Sequence, residues 1–463
     1  MRIIFTVLLT ALLSNLLHAQ GITGTWNGLL KVQGSELRLV FHIEKTASGY
    51  TSTMDSPDQG AKGIPVGSTS FENDSLKLSI PQAGISYIGV FAADSTIQGT
   101  FKQGPMTFPM LLSKGVMAKQ AKPQEPTKPY PYRVEELTFE NKKAGNRLAG
   151  TLTLPQQGSN FPVVILISGS GQHNRDGEML GHKPFLVLAD HLTKNGIAVL
   201  RFDDRGVAAS TGDFSAANSA DFATDVEAGI AYLKTRKEIN PKKIGLIGHS
   251  EGGIIAPMVG SRSKDVAFMV LLAGSGLPGD QILLLQQGLI GKASGMSEQD
   301  LDKLEETNKA AFALVHQAKS SAELKASLTN AIQERIASGE IAVPAGLEQA
   351  EFIAVQVNRI SSPWMQYFIT YDPAPALEKV SCPVLSLIGS KDLQVPADEN
   401  LAAINKALAK GGNKQVTSKK LPNLNHLFQE SETGAPDEYA KIEQTLSPIA
   451  LDEVLSWIKL QTN

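Results

Sequence analysis

The chain has 463 residues, 42% of them hydrophobic and 19% charged, which is enough to bury more than one core and long for a single ordinary domain. A formal net charge of -3, with both signs mixed along the chain, gives no basic field for nucleic acid or for an anionic membrane surface. The only cysteine, Cys382, leaves no partner for an internal disulfide.

Read in chain order, the first segment has the pattern expected of a leader. Arg2 is followed by nearly continuous apolar sequence from Ile3 to Leu17 and then by small Ala19, which predicts a signal peptide over residues 1–19. The run is shorter than the roughly 20 residues a membrane span needs, and no later run reaches that length. The mature chain is therefore expected to be secreted or periplasmic, without a membrane span.

From residue 20 to 115 the period is two. Leu37, Leu39, Phe41 and Ile43 alternate with Glu36, Arg38, His42 and Glu44, apart from an apolar Val40, and Leu76, Leu78 and Ile80 alternate with Lys77 and Ser79. Such alternation marks strands with one buried face. Turn signals at Ser48-Gly49, Asn73-Asp74 and Ala83-Gly84 cut the runs into an all-β antiparallel meander or small barrel. Glycan, lipid or a partner protein are its candidate ligands, with plain packing against the rest of the chain as the alternative. Pro123, Pro126, Pro129 and Pro131 then place a semi-rigid linker over residues 116–131.

Residues 132–463 alternate apolar strands with helices. Phe161 to Ser168, Ile197 to Phe202, Lys243 to Gly248, Phe268 to Ala273, Val384 to Ile388 and Gln415 to Leu421 are strand-like. Continuous apolar strands separated by helices predict an α/β architecture, a mostly parallel sheet covered on both faces. Residues 277–375 break this rhythm with Ala, Leu, Glu, Gln and Lys. They predict a helical insertion placed as a lid.

The chemistry gathers at strand ends. Gly248-His249-Ser250-Glu251-Gly252 follows a buried strand and precedes a helix, the context a nucleophile elbow requires, so Ser250 is the expected nucleophile. The amide of Glu251 is then one expected oxyanion donor. Of eight histidines, His426 follows the last strand, where the base of such a site falls. His249, beside the nucleophile, is expected to point away and pack. Asp392, on the loop after Val384 to Ile388, is the expected orienting acid, with Asp398 as its competitor. The loop after the first central strand, Ser168-Gly169-Ser170-Gly171, offers Ser170 or Gly171 as the second oxyanion donor. His173, Arg175 and Asp176 either line the pocket or stiffen that loop. Asp203-Asp204-Arg205 reads as a structural ion-pair cluster. Trp364, Tyr367 and Phe368 are candidates for an apolar substrate pocket. No metal-binding or phosphate-binding motif is present, and no cofactor is expected.

Three segments carry a resemblance: Asn174-Arg175-Asp176-Gly177, Arg201-Phe202-Asp203-Asp204-Arg205-Gly206 and Gly248-His249-Ser250-Glu251-Gly252-Gly253. From about Tyr132 onward the chain resembles the α/β-hydrolase superfamily, closest to bacterial carboxylesterases grouped with serine-aminopeptidase-like hydrolases. That resemblance implies cleavage of small-molecule esters with short or medium acyl chains, with Ser250, Asp392 and His426 as the triad. The alternatives on the same triad are a peptidase, with Glu305, Glu306 and Glu351 as candidate terminus-binding acids, or a thioesterase or acyl-transferase. Ala208 and Ala209 depart from the glycine often found after the Arg-Gly pair.

Overall fold

The structure, a computed structural model, describes residues 22–463 except 33–34, 58–60, 93–95, 105, 116–121 and 344–347. The leader expected over residues 1–19 and the first part of the linker lie outside the described residues.

Nine strands form the first sheet. They are β1 (Gly24–Val32), β2 (Ser35–Thr46), β3 (Gly49–Ser56), β4 (Ala61–Pro65), β5 (Ser68–Glu72), β6 (Ser75–Ile80), β7 (Ile85–Ala92), β8 (Thr96–Gln103) and β9 (Met106–Lys114). Their order is β4-β3-β2-β1-β9-β8-β7-β6-β5, and every pairing is antiparallel. The sheet curls into a half-barrel: β3 and β5 approach where Ser52 Oγ lies 2.5 Å from Thr69 Oγ1. The alternating apolar residues fill its interior, with Trp26, Phe41, Tyr87 and Phe101 at most 1% exposed. Both polar handles in this core are satisfied, Trp26 Nε1 by the carbonyl of Ile22 at 2.6 Å and the Tyr87 hydroxyl by that of Ile97 at 2.9 Å.

The linker is tied down at its end. Lys122 Nζ donates to the carbonyls of Ala440 and Ile442, and the Gln124 side chain bonds the backbone of Thr445 and Leu446.

The second sheet has eight strands, β10 (Arg133–Asn141), β11 (Asn146–Leu154), β12 (Phe161–Ile167), β13 (Ala198–Phe202), β14 (Ile239–His249), β15 (Phe268–Leu272), β16 (Val384–Gly389) and β17 (Val416–Leu421). Their order is β10-β11-β13-β12-β14-β15-β16-β17; the first two joins are antiparallel and the rest parallel. The β10–β11 hairpin lies outside the strands expected from the sequence.

Period-two alternation within fully buried strands feeds two cores. Val163, Ile165 and Ile167 face one with α2 (Ser219–Leu233), α3 (Gly252–Gly260) and α10 (Ala397–Lys410). Val164 and Leu166 face the other with α1 (Pro184–Lys194) and α11 (Pro448–Thr462). This is the α/β-hydrolase arrangement that the resemblance implies. Because β13 and β14 flank β12, the strand order reverses at β12. In open α/β sheets the crevice beyond such a reversal is where ligands bind.

Between β15 and β16 the chain forms α4 (Gly279–Ala293), α5 (Glu298–Gln317), α6 (Ser321–Ala337), α7 (Gln349–Ile360), α8 (Pro363–Thr370) and α9 (Ala374–Leu377). Phe312, Val315, Leu324, Leu328, Ile353 and Val357 give this block a core of its own. Cys382, just before β16, is half-buried, and burial pushes its thiol up to about 11. Among the described residues no helix is long and apolar enough to cross a membrane.

Candidate active site

Strand β14 ends at His249, and Ser250 turns the chain into α3 with φ at +54°, a left-handed conformation that costs a non-glycine residue energy. The neighbouring glycines make the turn possible. A Cβ on Gly248 would sit 1.9 Å from the carbonyl oxygen of Gly252, and one on Gly252 would sit 2.2 Å from that of Ile167. The Ser250 amide donates to Leu272 at 2.8 Å and its carbonyl accepts from Gly253 at 2.8 Å, so both neighbouring elements hold the turn in place.

His426 lies on the loop after β17. Its Nδ1 is 2.8 Å from Oδ2 of Asp392, and both residues are buried. The other Asp392 oxygen accepts the amides of Gln394 and Val395 at 2.8 Å each, which fixes the carboxylate. With Nδ1–H donating to Asp392, the imidazole leaves Nε2 free to accept a proton. Asp398 lies elsewhere, exposed and paired with Lys420.

Ser250 and His426 line one cavity of about 260 Å³, together with Gly169, Ser170, His173, Glu251, Trp364 and Phe368 among others. Gly171 and Tyr367 are not on its wall. Gly171 borders a smaller cavity beside Asp204, and Tyr367 stacks on Tyr371 at 5.5 Å. On α8 it is Trp364 and Phe368 that line the cavity. Glu305, Glu306 and Glu351 also stand off this wall. No backbone carbonyl among the described residues takes the amide protons of Glu251, Ser170 or Gly171.

His249 packs against His426, but it also lines the catalytic cavity and so does not point away from it as expected. Its Nε2 donates to the His426 carbonyl at 2.9 Å, and its ring lies 4.9 Å from that of His426. Burial, with the neighbouring His426 charge, pushes its pKa down to about 3, so it stays neutral. Burial lowers His173 as well, against a bond from its Nε2 to the Ser170 carbonyl.

Three carboxylates organise the loop after β12. Asp204 accepts from the Ser168 hydroxyl at 2.6 Å and from the His173 amide at 2.9 Å, clamping both ends of Gly169-Ser170-Gly171. Burial raises it to about 7, with Glu251 and Asp225 adding repulsion. Asp203 pairs with Arg175 at 2.7 Å, and Arg205 with Asp225 at 2.7 Å, a bracing role as the sequence reading preferred.

The Glu251 side chain, to which the sequence reading gave no role, is the third. It is buried and accepts the Ser219 hydroxyl at 2.6 Å and Trp364 Nε1 at 2.8 Å. Ser170 also bonds it, and burial raises its pKa against these donors. One acidic letter between Ser250 and Gly252 carries no signal for such a contact. Among the described residues no group of three or more His, Cys, Asp or Glu is placed to hold a metal ion.

A model of the family described as serine aminopeptidase, S33, matches residues 162–432. The chain is 25% identical over 338 residues to Esterase EstD of Thermotoga maritima, a stretch covering 71% of this chain and 69% of that protein. A putative carboxymethylenebutenolidase of Synechocystis sp. is 28% identical over 138 residues, which are 28% of this chain and 56% of that protein. Among solved structures, the α/β hydrolase GrgF from Penicillium sp. aligns over 72% of this chain and 99% of its own length, with a TM-score of 0.44 and 15% identity.

Proposed function

The chain belongs to the serine aminopeptidase S33 family, and from that premise we propose that it is a secreted carboxylic ester hydrolase working through Ser250, His426 and Asp392. The observation that carries the reading is the elbow: Ser250 stands at φ +54° between β14 and α3, on the same cavity wall as a histidine whose other ring nitrogen faces a fixed carboxylate.

Ser250 Oγ attacks the ester carbonyl while His426 Nε2 takes its proton, and Asp392 steadies the imidazolium. The amides of Glu251 and Ser170, both on the cavity wall, receive the oxyanion, each donor lowering the barrier by ~3 kcal/mol. The alcohol leaves with the proton from His426. Water, deprotonated by the same ring, then releases the acid and frees Ser250.

Two features support an ester over a peptide. EstD is named an esterase, and the three acids a peptidase would recruit in the helical block stand off the cavity wall. Ile282, Leu283 and Gln286 of α4 line the cavity with Trp364 and Phe368 of α8, which supports reading the block as a lid. Export would be checked by N-terminal sequencing of the mature protein, which should begin at Gln20.

The direct test is hydrolysis of nitrophenyl esters from acetate to decanoate. Ser250→Ala should lower kcat by on the order of 10⁴-fold or more. A variant as active as the native protein would sink the reading.

A further inference from the structure

A second, smaller cavity of about 40 Å³ lies beside the catalytic one. Its wall is almost wholly carbon and includes Phe185 and Leu188 of α1, Leu451 and Val454 of α11, and Leu427 and Phe428. Gly169, His173, Met179, His249 and Leu427 line both cavities, so the partition between the two is a single layer of side chains.

A hollow whose wall lacks polar partners holds water poorly. This one offers water little. The two polar rings in its wall, His173 and His249, each commit Nε2 to a backbone carbonyl, at 3.1 and 2.9 Å. It also lies at the end of the sheet where Ser250 stands, and one wall residue, Leu427, directly follows His426. Met179 in the partition is unbranched, half-buried and able to swing through three rotatable bonds.

We propose that this slot receives an unbranched alkyl chain of the ester, entering from the catalytic cavity as Met179 moves aside. The proposal rests on the ester-hydrolase reading. The chain belongs either to the acyl part or to the alcohol part of the substrate, and two substrate series separate these sources. Nitrophenyl alkanoates from acetate to decanoate vary the acyl chain. Acetates of methanol through octanol, followed by acid release, vary the alcohol.

Two changes on α11 act in opposite senses. Ala450→Phe fills the slot and Leu451→Ala enlarges it, since both residues line it. In one of the two series, Ala450→Phe should lower the long-to-short ratio of kcat/KM by about tenfold or more. In that same series Leu451→Ala should move the optimum to longer chains, and the series that responds names the source. Unchanged ratios in both series, with both variants melting like the native protein, would leave a packing void and overturn the proposal.

If either variant fails to fold, the native protein suffices. Its kcat/KM should climb with chain length in one of the two series, whereas flat profiles in both overturn the slot. No labelling by any fluorophosphonate would instead remove the ester-hydrolase premise.

Discussion

At the scale of single residues, carboxylates do most of the positioning around Ser250. Asp392 holds His426 in one tautomer, so Asp392→Asn should keep the fold and lower kcat by ~10⁴-fold, as an asparagine there favours the wrong tautomer. The check is kcat alongside an unchanged near-UV circular dichroism spectrum. Asp204 gives a pH signature. Burial raises it from 3.8 to about 7, so between those values the folded chain keeps a proton that the unfolded chain has released. The stability it contributes is present below about pH 4 and lost as the pH rises through about 7. Asp204→Asn cannot ionise, and the urea midpoint of the native protein should fall relative to the variant's across that window. Parallel midpoints would mean that Asp204 is ionised throughout. Ser250, Asp392 and His426 were legible because each sits at a strand end in a fixed chain order. The Glu251 carboxyl was not, because its partners come from three separate segments and only the folded chain brings them together.

Elements add a second layer. Glu251 ties the loop after β12, the start of α2 and α8 to one carboxylate through Ser170, Ser219 and Trp364. Trp364→Phe keeps an aromatic ring against Phe368 but removes the indole donor. We expect it to raise KM for esters and to cost about 1–2 kcal/mol of stability, read from kinetics and urea unfolding. An unchanged KM would mean that the bond only fastens α8. The central strands were legible from their continuous apolar runs. The β10–β11 hairpin was not, because on the edge strand β10 the apolar Val134 is exposed while Glu135 and Glu136 pair with Arg236 and Arg175. The helical block was legible as helix, but which aromatic of α8 faces the cavity was not. Trp364, Tyr367 and Phe368 are spaced three and one apart, and only packing decides that Tyr367 stacks on Tyr371 instead.

Over the whole molecule, the half-barrel owns its core: none of its buried residues belongs to the clusters that pack the second sheet. A chain beginning at Lys122, which keeps the contacts of Lys122 and Gln124 with residues 440–446, should retain ester hydrolysis and a cooperative melting transition. Beginning instead at Tyr132 should lower the melting midpoint, since those bonds and the Lys183–Glu125 pair at 2.8 Å would be gone. Equal midpoints would show the docked linker to be dispensable. Proline content predicts a spacer there. Composition cannot show that a spacer is bonded down, because its partners are backbone carbonyls and amides some 320 residues away.

The lone Cys382 makes this chain convenient for spectroscopy. With its thiol half-buried and pushed up to about 11, it reacts slowly with maleimides near neutral pH. A cysteine introduced on the exposed face of α5 or α7 would then be the fast-reacting thiol. A fluorophore attached there could follow the helical block through turnover with the native Cys382 left in place.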